Sequence, residues 1–212
     1  TADHTPLPYA GPDGIQAMLE GLMRFGWQGK YEGDVLVGLS RPAEAGGGSV
    51  TLEPGGQLEL SGAPLINIHQ TCAEVNRHLG EVRTVAAELG QSYLGIGYTP
   101  NWGLEDAPQM PKGRYRLMTD YMPTRGTRGL EMMYLTATVQ VNLDFGSPAD
   151  MVEKLKIALA LQPLATALFA NSPFKNGEPT GNLSERSLVW LDTDPDRTGM
   201  LPMVFEPGFG FE

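Results

Sequence analysis

The sequence predicts an α+β fold on the strength of a short hairpin at Ser49 to Pro64, an alternating segment at Leu135 to Phe145, and two long stretches of helical periodicity. The hairpin organises the rest. In SVTLEPGGQLELSGAP, two alternating arms flank Pro54-Gly55-Gly56, so Thr51 should face Glu59 and Glu53 should face Gln57, all on one side. Val50, Leu52, Leu58 and Leu60 take the other side. A dry face backed by carboxylates and an amide suits a hard cation or an ammonium group, with an ordinary solvated hairpin face as the plainer alternative.

The elements follow in chain order. Residues 1–13 read as loop, and Gly14 to Phe25 as a short amphipathic helix closed by Trp27 and Gly29. Asp34 to Leu39 reads as a strand, and Ala43 to Gly48 as a flexible connector. From Pro64, the stripe Ile68, Cys72, Val75, Leu79, Val82, Ala86 and Leu89 predicts the longest helix, stopped by Gly90. Cys72 falls within that stripe, which favours a small buried hydrophobe over a reactive thiol. His69 and His78 lie off it, without a second ligand at metal spacing.

Ser92 to Tyr98 reads as a buried strand. Thr99 to Tyr115 is a long Pro-rich loop, packed through Trp102 and Met110, whose end at Lys112-Gly113-Arg114 can take a carboxylate or phosphate. Tyr115 to Met122 reads as a short helix, followed by a Gly-rich loop carrying Arg125 and Arg128. In LTATVQVNLDF, Thr136, Thr138, Gln140, Asn142 and Asp144 alternate with apolar residues. That predicts a strand with a row of uncharged donors and acceptors, or an edge strand with a Thr-rich wet face. Ser147 and Asp150 frame a helix start, with Met151, Leu155, Ala158, Leu159 and Leu161 turned inward, a kink or restart at Pro163, and a buried segment Leu164 to Asn171. Ser187 to Leu191 reads as a strand with Arg186 just before it, and the aspartates around Arg197 as an ion-pair knot.

Composition bounds the function. At 212 residues with 41% hydrophobic content the chain can bury a core, read as one domain over residues 1–212. A formal net charge of -10 without a basic run argues against nucleic acid, so an anionic small molecule would need convergent arginines. One cysteine excludes an internal disulfide framework, and no membrane span or signal peptide is visible, which sets a cytoplasmic expectation. Both ends look cut, so a fragment is expected. Oligomeric state is not legible.

The motifs EPGGQLELSGAP, HQTCAEVN, MPKGRY, TVQVNLDF, LALQPLATALFANSPF and DTDPDRTGMLP, in this order, resemble the glutamate-cysteine ligases of the plant and alphaproteobacterial type, from about Asp34 to Glu212. The resemblance implies ATP-dependent joining of the glutamate γ-carboxylate to cysteine through an acyl phosphate, the first step of glutathione synthesis. It also implies a glutamine synthetase-like fold, a curved antiparallel sheet with helices on its outer face, whose concave side holds magnesium, ATP and glutamate. Carried over by motif, Glu53, Glu59 and Gln140 are the implied magnesium ligands, converging with their neighbours on one concavity. Arg114, Thr138 and Asn142 are implied glutamate-binding groups, and Arg186 an implied catalytic group reaching glutamate or the transferred phosphate. Cys72 matches one partner of a regulatory disulfide in plant members. A Glu-His-Glu cluster that the family carries is not found in this sequence, so little activity is expected of these residues alone. A ligase using another amine and a non-catalytic glutamate-binding module are the rival expectations.

Overall fold

A computed structural model describes residues 4–211, a mixture of helices and antiparallel strands. The chain divides into two compact units, Thr1–Leu94 with Leu104–Asp120 and Gly95–Gly103 with Tyr121–Glu212.

The first unit holds helix α1 (Ile15–Leu22), strands β1 (Gln28–Glu32), β2 (Val35–Ser40), β3 (Ser49–Leu52) and β4 (Leu58–Ser61), and helices α2 (Ile68–Leu89) and α3 (Gly113–Tyr121). Its four strands form an antiparallel meander in sequence order. Helix α1 arises where the sequence predicts it, because Ile15, Met18, Leu19 and Leu22 return to one side every three or four residues and bury there. They meet Leu36 and Leu39 of β2, Val50 and Leu52 of β3, and Val82, Val85 and Ala86 of α2 in one core. Gly21 lets α1 approach α2, since a Cβ there would stand 2.5 Å from Val85 Cγ1. Strand β1 has no apolar alternation to announce it. It is a mostly exposed edge, with a register shift at Lys30/Tyr31.

Helix α2 begins at the Asn67 cap, whose Oδ1 accepts the Gln70 N–H at 3.1 Å, and ends at Gly90 in the left-handed region, φ 64°. Its first half faces the opposite way from the sequence expectation. Ile68, Val75 and Leu79 are exposed, and so is Cys72, while Glu74, His78 and Glu81 are buried. The inward positions are polar because partners await them. Glu81 accepts Trp27 Nε1–H at 2.7 Å and pairs with Arg41 at 3.1 Å, and Glu74 accepts the Ala63 N–H at 3.0 Å. Apolar packing of α2 starts only at Val82.

His78 packs edge-on against Trp27, and its buried Nδ1 has no hydrogen-bond partner among the described residues. Burial pushes its pKa down and Arg41 adds to this, against the opposing pull of Glu81 and Glu74. With the folded value below the unfolded one, its stability contribution is complete above the unfolded pKa and is lost as pH falls from there through the folded value. His78→Phe should therefore flatten the fall in unfolding free energy between neutral and mildly acidic pH. Denaturant melts across that range check it, and an unchanged slope would contradict it.

The second unit holds helices α4 (Gly129–Leu135), α5 (Pro148–Phe169) and α6 (Glu185–Leu191), with a small β5–β6 hairpin (Phe174–Lys175, Glu178–Pro179). Helix α4 packs against α6. Several expectations change here. Ser187 to Leu191 is helical, not a strand: a short apolar run does not distinguish the two, and the helix buries Val189 while offering Glu185 to Arg128. Ser92 to Tyr98 forms no strand. Only Tyr98 bridges, to Thr136, and the amide of Asn171 takes up Gly97 N–H and Gly95 C=O.

Leu135 ends α4, and residues 137–145 find no ladder partner among the described residues beyond Ala137 N–H to Gly97 O. A strand's period-two faces mean nothing without neighbours, so both sides stay wet. Val139 is 93% exposed, Gln140 Nε2 donates to Asn142 Oδ1, and Thr138 Oγ1 donates to the Val139 carbonyl.

Helix α5 starts as expected, with Ser147 Oγ accepting the Asp150 N–H at 3.2 Å. Pro163 neither stops nor restarts it, and no residue of α5 is buried, Leu164, Leu168 and Phe169 included. Of the face assigned inward, Met151, Leu155 and Leu159 are half-buried and Ala158 and Leu161 exposed, with the short helical turn Pro202–Phe205 packed against α5. The knot around Arg197 does form, with Nε 3.0 Å from Asp194 Oδ2.

Candidate active site

Hairpin β3–β4 has the expected register. Thr51 pairs with Glu59, Glu53 N–H donates to Gln57 O at 2.9 Å, and Gly56 N–H returns to Glu53 O at 2.9 Å. Gly56 sits at φ 84°, where a side chain would be strained, and a Cβ there would reach Ile15 Cδ1 at 2.5 Å and Met110 Cε at 3.2 Å. The turn is thus fastened to the core on one side while Glu53 and Glu59 share the other.

The two carboxylates interact directly. Burial raises the Glu53 pKa first, and the neighbouring Glu59 charge raises it further, against Arg114 and Lys112, which lower it. A hydrogen bond with the Glu59 carboxyl acts in the same direction, so Glu53 holds its proton more readily than a free glutamate would.

The loop before α3 brings cations to this pair. Met110 N–H donates to Pro54 O at 3.0 Å, and buried Met110 covers the turn. Lys112 Nζ donates to Leu52 O at 2.8 Å, and the Tyr115 hydroxyl donates to the same carbonyl, one residue before Glu53. Arg114 Nη2 donates to the Tyr115 hydroxyl at 3.1 Å and lies over its ring at 4.9 Å. The Tyr115 bond holds the Arg114 pKa up, while burial pulls Lys112 down and Arg114 pulls it further. Glu32 accepts the Gly113 N–H at 3.1 Å, closing the first turn of α3.

Glu53, Glu59 and Arg114 therefore come together in the first unit, with Glu59 and Arg114 exposed. No group of three or more His, Cys, Asp or Glu suited to a metal ion occurs among the described residues. Two oxygen-donor carboxylates on the neighbouring arms of one hairpin nonetheless fit a magnesium ion, which keeps waters and takes few protein ligands. Thr138, Gln140 and Asn142 lie in the exposed segment of the second unit, not on a sheet face.

Arg186, on α6, is half-buried. Its Nε has no partner among the described residues, its guanidinium carbon stands 5.6 Å over the Trp190 ring, and burial pushes its pKa down. Sequence reasoning missed Tyr115 and undervalued Lys112, although both lie in the MPKGRY stretch that pointed to Arg114.

A hairpin bearing paired carboxylates, flanked by a guanidinium and a lysine, has the chemistry to hold an anion through a hard cation. The sequence profile of Glutamate-cysteine ligase family 2 (GCS2) matches residues 1–212, and the chain belongs to that family. It is 59% identical over 208 residues to "Glutamate--cysteine ligase, chloroplastic" of Arabidopsis thaliana, covering 98% of this chain and 38% of the relative. The enzymes of the same name from Solanum lycopersicum and Nicotiana tabacum are 57% and 58% identical, at 38% and 37% of their lengths. The chain thus spans less than two-fifths of these relatives. Their names also correct the cytoplasmic expectation, since they are chloroplastic ligases. The cysteine count could not have shown this, because a single thiol suits more than one compartment. No helix among the described residues is long and apolar enough to cross a membrane.

Proposed function

We propose that this chain is part of an ATP-dependent ligase that joins the γ-carboxylate of L-glutamate to the amine of L-cysteine, the first step of glutathione synthesis. In this reading the chain is part of a glutamine synthetase-like domain with a curved sheet. The observation that carries it is the Glu53–Glu59 pair held beside Arg114 and Lys112. Family membership supports the same reading.

In the reaction, a γ-carboxylate oxygen attacks the γ-phosphorus of ATP and ADP leaves. The cysteine amine then attacks the acyl carbon, expelling phosphate and losing a proton. Glu53 and Glu59 would hold magnesium, which would supply charge neutralisation at the phosphate oxygens, and Gln140 is a separate candidate oxygen donor in the second unit. Arg114, exposed and oriented by Tyr115, takes a glutamate carboxylate through paired N–H donors, while Thr138 and Asn142, in the second unit, are separate candidates for neutral hydrogen bonds to a substrate. Arg186 acts on the transferred phosphate. Its buried Nε has no protein partner among the described residues, so the side chain gives up no hydrogen bond there in turning its guanidinium to a phosphate.

The test is Arg114→Ala in a full-length ligase of the family carrying this segment. Losing a hydrogen bond to a charged group costs about 1.5–3 kcal/mol, so the glutamate KM should rise roughly 10- to 150-fold with cysteine as acceptor. An unchanged KM would remove Arg114 from the glutamate site. Faster turnover with another amine would move the chain to a different glutamate ligase.

A further inference from the structure

Beside Arg186, the second unit contains a charged network to which the proposed chemistry gives no role. Arg128, the residue before α4, donates from Nη2 to Glu131 Oε2 at 2.6 Å and to Glu185 Oε1 at 2.5 Å, and from Nε to Glu131 at 3.1 Å. Glu131 also accepts Lys175 Nζ at 2.9 Å and the Tyr98 hydroxyl at 3.0 Å. The side chains of Arg128, Glu131 and Glu185 are 16%, 15% and 7% exposed. Surface ion pairs contribute little to order, but a hydrogen-bonded pair this shielded fixes the elements that carry it.

Glu185 is the first residue of α6 and Arg186 is the second. The backbone there is also held, by Glu185 N–H to Ser172 O at 2.9 Å and Arg186 N–H to Ser172 Oγ at 3.2 Å. The Arg186 side chain is different. It makes no ion pair among the described residues, its buried Nε is unpartnered, and only the Trp190 ring lies beneath it. Its direction is therefore set by where the first turn of α6 stands. Adjacent helix residues point apart, so Glu185 can turn to Arg128 without engaging Arg186.

We propose that Arg128 is a positioning residue for Arg186: by tying α4 to the first turn of α6 through Glu185, it fixes where the Arg186 guanidinium meets the substrate. This rests on the reading above, that Arg186 acts on the transferred phosphate. Lys175 provides the internal control, since it anchors the same Glu131 without touching α6.

Two measurements test it. In the 212-residue chain, the Nε–Hε nuclear magnetic resonance signal of Arg186 should shift in Arg128→Met and Glu185→Gln and stay in place in Lys175→Met. In a full-length ligase carrying this segment, Arg128→Met should lower kcat roughly 10- to 100-fold, the scale of a small misplacement of a catalytic group. The KM for glutamate should stay within a few-fold, Arg128→Lys should give an intermediate loss, and Lys175→Met should keep kcat within a few-fold. An unmoved Arg186 signal in Arg128→Met overturns the proposal, as does equal loss of kcat in Lys175→Met. If Arg186→Lys itself leaves kcat unchanged, it is the functional reading of Arg186 that fails, whatever the signal shows.

Discussion

Glu53→Gln, assayed in a full-length ligase carrying this segment, should lower kcat roughly 100- to 1,000-fold, the cost of removing one preorganised electrostatic group. The substitution keeps shape and hydrogen bonding but takes away one of two anionic oxygen donors on the hairpin. Magnesium activation should weaken with it, so added metal should recover part of the rate. The same carboxylate leaves a signature in stability. Burial and then Glu59 raise its folded pKa above the unfolded value. Stability from this group is therefore complete below the unfolded pKa and is lost as pH rises through the folded one. Glu53→Gln should remove that loss, so the variant should match or exceed the parent in stability at neutral pH while failing in catalysis. A variant with normal kcat and normal magnesium dependence would contradict the assignment.

Arg41→Met should cost about 3–5 kcal/mol of unfolding free energy, because it leaves a buried carboxylate short of its counter-ion. Arg41 Nη2 reaches Glu81 Oε1 and the Phe25 carbonyl, both at 3.1 Å, and its guanidinium carbon stacks 3.9 Å over the Trp27 ring. Both side chains of the pair are less than a tenth exposed, at 8% and 9%. Trp27 Nε1–H still serves Glu81 in the variant, so the hydrogen bond survives while the charge does not. Arg41→Lys should fall between the two, since an ammonium lacks the planar stack. Adding Glu81→Gln to Arg41→Met should recover much of the loss. Urea unfolding measures all of these, and a loss below about 1 kcal/mol would show that water reaches the pair.

What the sequence could convey depended on how local the cause was. The turn at Pro54 to Gly56 and the alternation of its arms are enough to put Glu53 and Glu59 on one face, because hairpin register is set within a few residues. The stop at Gly90 and the cap at Ser147 were local too, although the helix ending at Gly90 begins after Asn67 and not at Pro64. The failures were those of partnership. The alternating segment through Gln140 lacks a ladder among the described residues, and α5 has half-buried but no buried residues, so periodicity alone assigned burial that the described residues do not complete. Helix α2 misled for the opposite reason. Arg41 and Trp27 are far from Glu81 in sequence yet make its polar face the inner one, and Cys72 is left outside. The pairing of Lys112 and Tyr115 on the Leu52 carbonyl likewise needed the loop's return to the hairpin.

The most direct test of the paired carboxylates as a cation site is proton release on adding magnesium to the 212-residue chain, followed by pH-stat just above the ordinary glutamate range. A divalent cation bound through Glu53 and Glu59 must displace the proton that Glu53 keeps through its raised pKa, so the parent should release protons in a saturable way and Glu53→Gln should release none through this site. Equal release from both proteins, or magnesium binding without any, would contradict the account.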